Sequence, residues 1–396
     1  MPASAIVLEN ATVVHSDSVG VGDLAFAQGR VTNVAPSDAL RFDATDYFVY
    51  PGLINAHDHL QLNSIPRLAH SSSFSDSYAW IDSFAVHLQE PGVAAAVAKP
   101  AEDRYWQGGL KNVLSGVTSV AHHDPLHETL THESFPVQVP TAFGWSHSLR
   151  LGTRATHDPP RYGPPVWESF KATPATHPWI IHLAEGTSDV AREELAILDA
   201  LGCLAANTVA VHGVGLSAAD MQRIIGLGAS VVWCPSSNLE LFGETLAPDV
   251  LATAGRLALG TDSRLTGARD ILDELRVAAA SSSLSPRALF ALVTSDAARV
   301  LRLDNRGHLR AGACADCLLL TREGDPYEAL LGASRADVRG VIRNGAFAVG
   351  DDDLGVALQP SGAQAVQVRV DGRPKRMASS LFRPVAASLE PGLEPC

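Results

Sequence analysis

Short apolar runs at residues 5–8, 11–14, 23–27 and 30–34 are separated by Glu9-Asn10, Gly20, Gly22 and Gln28-Gly29. That pattern predicts brief strands joined by turns over residues 1–50. From residue 48 the rhythm changes, and apolar runs of strand length alternate with stretches of helical length. Strands are predicted at 48–54, 118–122, 137–145, 179–183, 208–211, 230–233 and 257–259. Helices are predicted at 102–115, stopped by Gly116, and at 188–201, with Ser188 as N-cap and Gly202 as stop. Others fall at 218–227 and 269–280, and Ser285-Pro286 opens one more. Strand and helix in alternation imply a parallel sheet, most economically a closed (β/α)₈ barrel over residues 51–305. Residues 148–178 leave little room before the strand bearing His182, and a regular fourth barrel strand is not legible there. Short strands return at 316–321 and 338–343, with a turn at Asn344-Gly345. Residues 1–50 and 306–355 are therefore expected to form one small β-sandwich domain. Residues 356–396, rich in Ala, Pro, Gly and Ser, read as a partly disordered tail.

Composition narrows the field. The 396 residues are 46% hydrophobic and 18% charged, in the range of a soluble enzyme, and 30 basic against 43 acidic residues give a net charge of −13. Such a balance argues against nucleic acid or an anionic membrane as partner. No apolar run is long enough to span a bilayer, and residues 1–10 lack a signal-peptide pattern, so a cytoplasmic location is expected. Five scattered cysteines make no disulfide framework, and Cys314-Ala315-Asp316-Cys317 has no second pair to complete a zinc site. That motif leads into an apolar strand and is expected to pack there.

The candidate chemistry gathers at strand ends. In Ile54-Asn55-Ala56-His57-Asp58-His59 the two histidines, two residues apart on an extended chain, point to the same side. Two imidazoles there can hold a divalent metal, although the motif alone also describes two surface histidines beside a turn. His182, His212 and Asp262 end later strands in the same way. In a parallel barrel such residues converge at the C-terminal face of the sheet. The inferred metal ligands are His57, His59, His182 and Asp262, with a position left open for water.

Pro51-Gly52-Leu53-Ile54-Asn55-Ala56-His57-Asp58-His59, His182-Leu183-Ala184-Glu185, Val211-His212-Gly213, Cys234-Pro235-Ser236-Ser237-Asn238 and Gly260-Thr261-Asp262-Ser263 together resemble the amidohydrolase superfamily. The resemblance is to its mononuclear aminohydrolase branch, which includes guanine and cytosine deaminases and triazine hydrolases. It implies one divalent metal per chain, zinc or iron, on His57, His59, His182 and Asp262, with Glu185, His212 and Asp262 as catalytic groups. The bridging lysine of the binuclear branch has no counterpart, since none of the four lysines ends a legible strand. Glu185, otherwise a solvated loop carboxylate, is read beside His182 as a proton shuttle, and His212 as orienting the water. Substrate contacts are sought among His122, Trp145, His147, Arg150, Ser237 and Asn238, with His123 and Asp124 also near their strand end. His70, His87, His127, His132 and His157 are read as solvated.

The expected reaction is hydrolysis of a C–N bond, deaminating a purine, pyrimidine, pterin or triazine. An amidase, a cyclic amide hydrolase or a dechlorinating hydrolase needs nearly the same residues. A non-catalytic scaffold predicts damaged ligand positions, which this chain does not have. The expected partner is a small heterocycle, and a homodimer is compatible with the sequence.

Overall fold

In the computed structural model, residues 5–67, 69–70, 72–152, 162–359 and 364–396 are described. His157 lies outside them. The parallel strands β1 (Leu53–Asp58), β2 (Val117–His122), β3 (Gly144–Ser148), β4 (Trp179–Leu183), β5 (Thr208–His212), β6 (Ser230–Trp233) and β7 (Leu257–Leu259) follow one another along the chain. Most of their residues are buried on both faces, as a parallel sheet covered by helices requires. β7, β6, β5, β4 and β3 are neighbours in that order, and β1 pairs with β2. Residues 137–139 lie against β2, where Val120 N donates to Gln138 O at 2.9 Å and Gln138 N to Thr118 O at 2.8 Å. At the other end, Asp262 N donates to His57 O at 3.1 Å, joining the chain after β7 to β1.

The expected strand 137–145 is thus two segments. Pro140, which has no amide hydrogen to offer a ladder, separates them. β3 takes over the end of the expected strand 137–145, and the described residues between 149 and 178 hold no further strand. Its polar sequence Gly-Trp-Ser-His-Ser hides the usual apolar signature.

Five helices matter for the site. α1 (Ser77–His87) starts at Asp76, whose carboxylate caps Ala79 N, and α2 (Ala101–Val113) is buried from Tyr105 onward. α3 (Asp189–Ala200) is capped by Ser188, α4 (Pro235–Phe242) follows β6 directly, and α5 (Ile271–Ala280) starts at Asp270. α1 was not anticipated. His87, expected in solvent, is buried at its end and reaches Pro66 O at 3.0 Å.

The two flanks of the chain join in one eleven-stranded sheet. Its seam is antiparallel, strand Tyr47–Pro51 against Cys317–Thr321, with Tyr50 opposite Leu318. Cys317 packs there as a buried thiol. The reading of residues 356–396 as a partly disordered tail is corrected. Strands Ala365–Val370 and Arg373–Ala378 form a hairpin in the same sheet, and helix Pro384–Leu389 leads to strand Leu393–Pro395. Val368 and Val370 alternate with solvent-facing Gln367 and Arg369, a period-two signal that composition alone obscures. Among the described residues no helix is long and apolar enough to cross a membrane.

Candidate active site

Three strands end in strained backbone. Ala184, His212 and Asp262 adopt φ of 52°, 76° and 53°, a left-handed region that costs free energy without glycine. Each turns the chain sharply as it leaves the sheet, so that His182, Glu185, His212 and Asp262 face one cavity of about 310 Å³ with His59.

At its floor three ring nitrogens meet. His182 Nε2 lies 3.3 Å from His57 Nε2 and 3.3 Å from His59 Nε2. Asp262 Oδ1 lies 3.9 Å and 3.8 Å from the same atoms of His57 and His59. His182 Nδ1 is 2.8 Å from His147 O and His59 Nδ1 is 2.7 Å from Asp124 Oδ2, so both rings donate outward and turn their Nε2 lone pairs inward. Burial drives the pKa of His57 and His182 well below the usual value, with neighbouring histidines adding to the effect. Neutral imidazoles whose lone pairs converge with a carboxylate repel one another unless a cation lies between them. The donor set therefore fits a divalent metal ion, with His57, His59 and Asp262 in one group whose donor atoms lie within reach of a common ion and His57, His182 and His212 in another. His212, close to His57 and His182, is a further donor within reach.

His59 differs. Burial pulls its pKa down, but Asp124, Asp262 and Asp58 outweigh that and raise it to about 9. A cation on Nε2 replaces that proton. Burial also works to raise the pKa of Asp262, yet His59, His212 and the Ser237 hydroxyl hold it below the usual range.

Beside this centre, Glu185 Oε1 lies 3.5 Å from His212 Nε2. Burial raises the pKa of Glu185 against the opposing pull of His212. His212 Nδ1 is 2.8 Å from Asn238 Oδ1, while Asn238 Nδ2 donates to Thr245, so His212 carries its hydrogen on Nδ1. Its Nε2 lone pair then faces the cavity.

Several expected substrate contacts lie elsewhere. His147 lines the cavity, but Ser237 and Asn238 are fully buried behind the site. Ser237 Oγ donates to Asp262 Oδ2 at 2.8 Å, and Asn238 holds His212. α4 begins right after β6, and its first turn aims both side chains backward. His122 is buried edge-on to Tyr105, Trp145 packs edge-on to His123, and Arg150 lies over the Tyr78 ring. Among the described residues none of these three lines the cavity. Asp124 does, and also accepts hydrogen bonds from Gln61 and Tyr162. The opposite wall is apolar, built by Leu62 with Trp80, Ile81 and Phe84 of α1.

Sequence reading also passed over Lys111. From α2 it reaches, fully buried, to Asp58 Oδ2 at 3.1 Å, Asn63 Oδ1 at 2.8 Å, Thr261 Oγ1 at 3.0 Å and Asp262 O at 3.1 Å. It ties the His57–His59 segment to the loop bearing Asp262. Its one signal in the sequence is its place four residues after Gln107 on a helix that is buried from Tyr105 onward.

Residues 172–348 match the sequence model of the Amidohydrolase family. A 5-methylthioadenosine/S-adenosylhomocysteine deaminase from Pyrococcus furiosus is 24% identical, over 80% of this chain and 86% of that protein. The same-named enzyme of Desulforudis audaxviator is 25% identical, over 86% and 92%. Among solved structures, a zinc-bound adenosine deaminase from Xanthomonas campestris superposes with a TM-score of 0.67 at 21% identity, over 87% of this chain and 93% of that one. A zinc complex of atrazine chlorohydrolase from Arthrobacter aurescens gives 0.71 at 16% identity, over 91% and 97%.

Proposed function

Because this chain carries an amidohydrolase family domain, we propose that it is a metal-dependent hydrolase that deaminates an amino-substituted nitrogen heterocycle. The family match and the deaminase relatives support a hydrolase of carbon–nitrogen bonds other than peptide bonds. One observation carries the reading. Three buried Nε2 atoms and the Asp262 carboxylate converge in a cavity that also holds a carboxyl of raised pKa, Glu185, 3.5 Å from His212.

His57, His59, His182 and Asp262 would hold one divalent cation, zinc or iron. When bound, such an ion makes water acidic near neutral pH, with a pKa of about 7. Glu185, whose pKa burial raises, gives its proton to the ring nitrogen next to the attacked carbon. Asp262 Oδ1 accepts a proton from the attacking water, since Oδ2 is committed to Ser237 and Thr266. His212 orients that water through Nε2. Asp262 then passes its proton to the amino group, which leaves as ammonia. The remaining hydroxyl proton returns to Glu185, and the ring keeps an N–H beside a new carbonyl. A chloride leaving group would use the same side chains.

Beneath this chemistry we infer a closed (β/α)₈ barrel, with residues 137–139 as its short third strand. Residues 1–50 and 306–355 would make the accompanying small β domain. The expected partner is a small heterocycle.

Ammonia release across aminated purines and their nucleosides, pyrimidines, pterins and triazines, with a chlorinated triazine followed by chloride release, tests the assignment. Turnover of at least one ring, abolished by chelation and restored by zinc or iron, is the expected result. No turnover of any ring by protein carrying its metal would contradict it.

A further inference from the structure

The loop that presents Glu185 is held by groups outside the reaction. Ala184, the residue before it, sits at φ 52° and donates its N–H to Glu194 Oε2 at 2.7 Å. The other oxygen of Glu194 accepts the hydroxyl of Tyr78 on α1. Glu194 lies on the inner face of α3 and is 4% exposed. Its carboxylate thus bridges the strained turn before Glu185 and the helix that walls the cavity.

Backbone contacts repeat the connection. Ser77 N donates to Glu185 O at 2.9 Å, and Thr187 N and Ser188 N both donate to Ser75 O, at 2.9 and 3.1 Å. Ser188 Oγ donates to Asp76 Oδ2 at 2.7 Å. Gly186 approaches so closely that a Cβ there would lie 2.5 Å from Asp76 Cα, and its φ of 146° is open to glycine. α1 itself packs in a small apolar cluster with Ile65, Val93 and Leu265, apart from the main core. The Glu185 loop is therefore a principal tether of that wall.

We propose that Glu194 is a positioning residue, which fixes Glu185 for proton transfer and couples its placement to the substrate wall on α1 through Tyr78. The inference rests on Glu185 acting in proton transfer, as argued above. One N–H donor and one O–H donor converge on Glu194, and a carboxylate can accept both. An amide has a single accepting oxygen, and where the Tyr78 hydroxyl takes it in Glu194→Gln, the NH₂ group is set against the Ala184 N–H, which cannot accept it. The turn at Ala184 then loses what stabilises its left-handed conformation, and Glu185 drifts. Displacements of about 1 Å at a reacting group cost up to about a hundredfold in rate.

The test compares metal-loaded wild type, Glu194→Gln, Tyr78→Phe and Glu185→Gln on the ring compound that turns over fastest in the panel above. Glu194→Gln should keep its metal content and lower kcat at least about tenfold, with KM changed less than about threefold. Tyr78→Phe, a milder change in case Glu194→Gln does not fold, should lower kcat less and raise KM, because it frees α1 while leaving Ala184 held. Hydrogen exchange at residues 184–188 and 77–79 should quicken together in both variants. A kcat within twofold of wild type for folded Glu194→Gln would overturn the proposal, and so would unchanged exchange at both segments. An active Glu185→Gln would instead overturn the proton-transfer reading itself. An inactive Glu185→Gln beside a normal Glu194→Gln would sink only the present inference.

Discussion

At the scale of single residues, burial decides protonation. Glu274 on α5 shows this away from the chemistry. Its Oε1 accepts Ser236 N at 2.9 Å, its Oε2 is buried without a partner, and burial raises its pKa from 4.5 to about 8. Below pH 4.5 the carboxyl is protonated in both folded and unfolded chains and stability is unaffected. Between pH 4.5 and about 8 the unfolded chain releases the proton while the folded chain keeps it. The contribution of this group to stability is therefore lost as pH rises through that window. Glu274→Gln keeps the accepting oxygen and never ionises. Thermal unfolding should give a Tm difference in favour of the variant that widens from pH 5 to pH 8. A constant difference would mean that Glu274 does not titrate in this window. Residue-scale reading of the sequence did best where chemistry and position coincide. His57 and His59 alternate on one strand, and His182, His212 and Asp262 each close an apolar run. It misassigned Ser237 and Asn238, because the direction in which a helix starts after β6 is set by packing. What those two side chains touch, Asp262 and His212, lies 25 and 26 residues away in the chain.

Elements carry the next layer. α2 delivers Lys111 under the His57–His59 segment, across sequence separations of 53 residues to Asp58 and 150 to Thr261. No local pattern predicts such a reach, which is why this residue escaped notice. Lys111 and Asp58 form a fully buried ion pair, and removing one member of such a pair strands the other charge. Lys111→Met should cost about 3–5 kcal/mol of stability in denaturant unfolding. Lys111→Met combined with Asp58→Asn should recover much of it, since neither charge is then left alone. A loss below about 1 kcal/mol in the single variant would show that the pair is not isolated from water. α1 was equally illegible. Its Asp76 cap is a local signal, but its mixed face packs on a small cluster and a loop. The strand at 137–145 failed for a plain reason, Pro140, and the hairpin at 365–378 was hidden by its Ala- and Pro-rich surroundings.

For the whole molecule, the two flanks of the chain share one sheet through Tyr47–Pro51 and Cys317–Thr321, and the parallel strands between them bring their polar ends together. The alternation of strands and helices made that division legible, while the continuity of the outer sheet depends on long-range pairing that no periodicity reports. On the proposed function, His57 and His59 at the end of β1, His182 of β4 and Asp262 in the turn after β7 together hold one cation on which hydrolysis depends. The most direct measurement strips the protein with a chelator, adds zinc back in sub-stoichiometric steps and follows both bound metal and ammonia release. The expected result is no activity in the stripped protein, a linear rise, and saturation at one equivalent per chain, with His57→Ala binding no tight equivalent. Saturation at two equivalents, or full activity without metal, would contradict it.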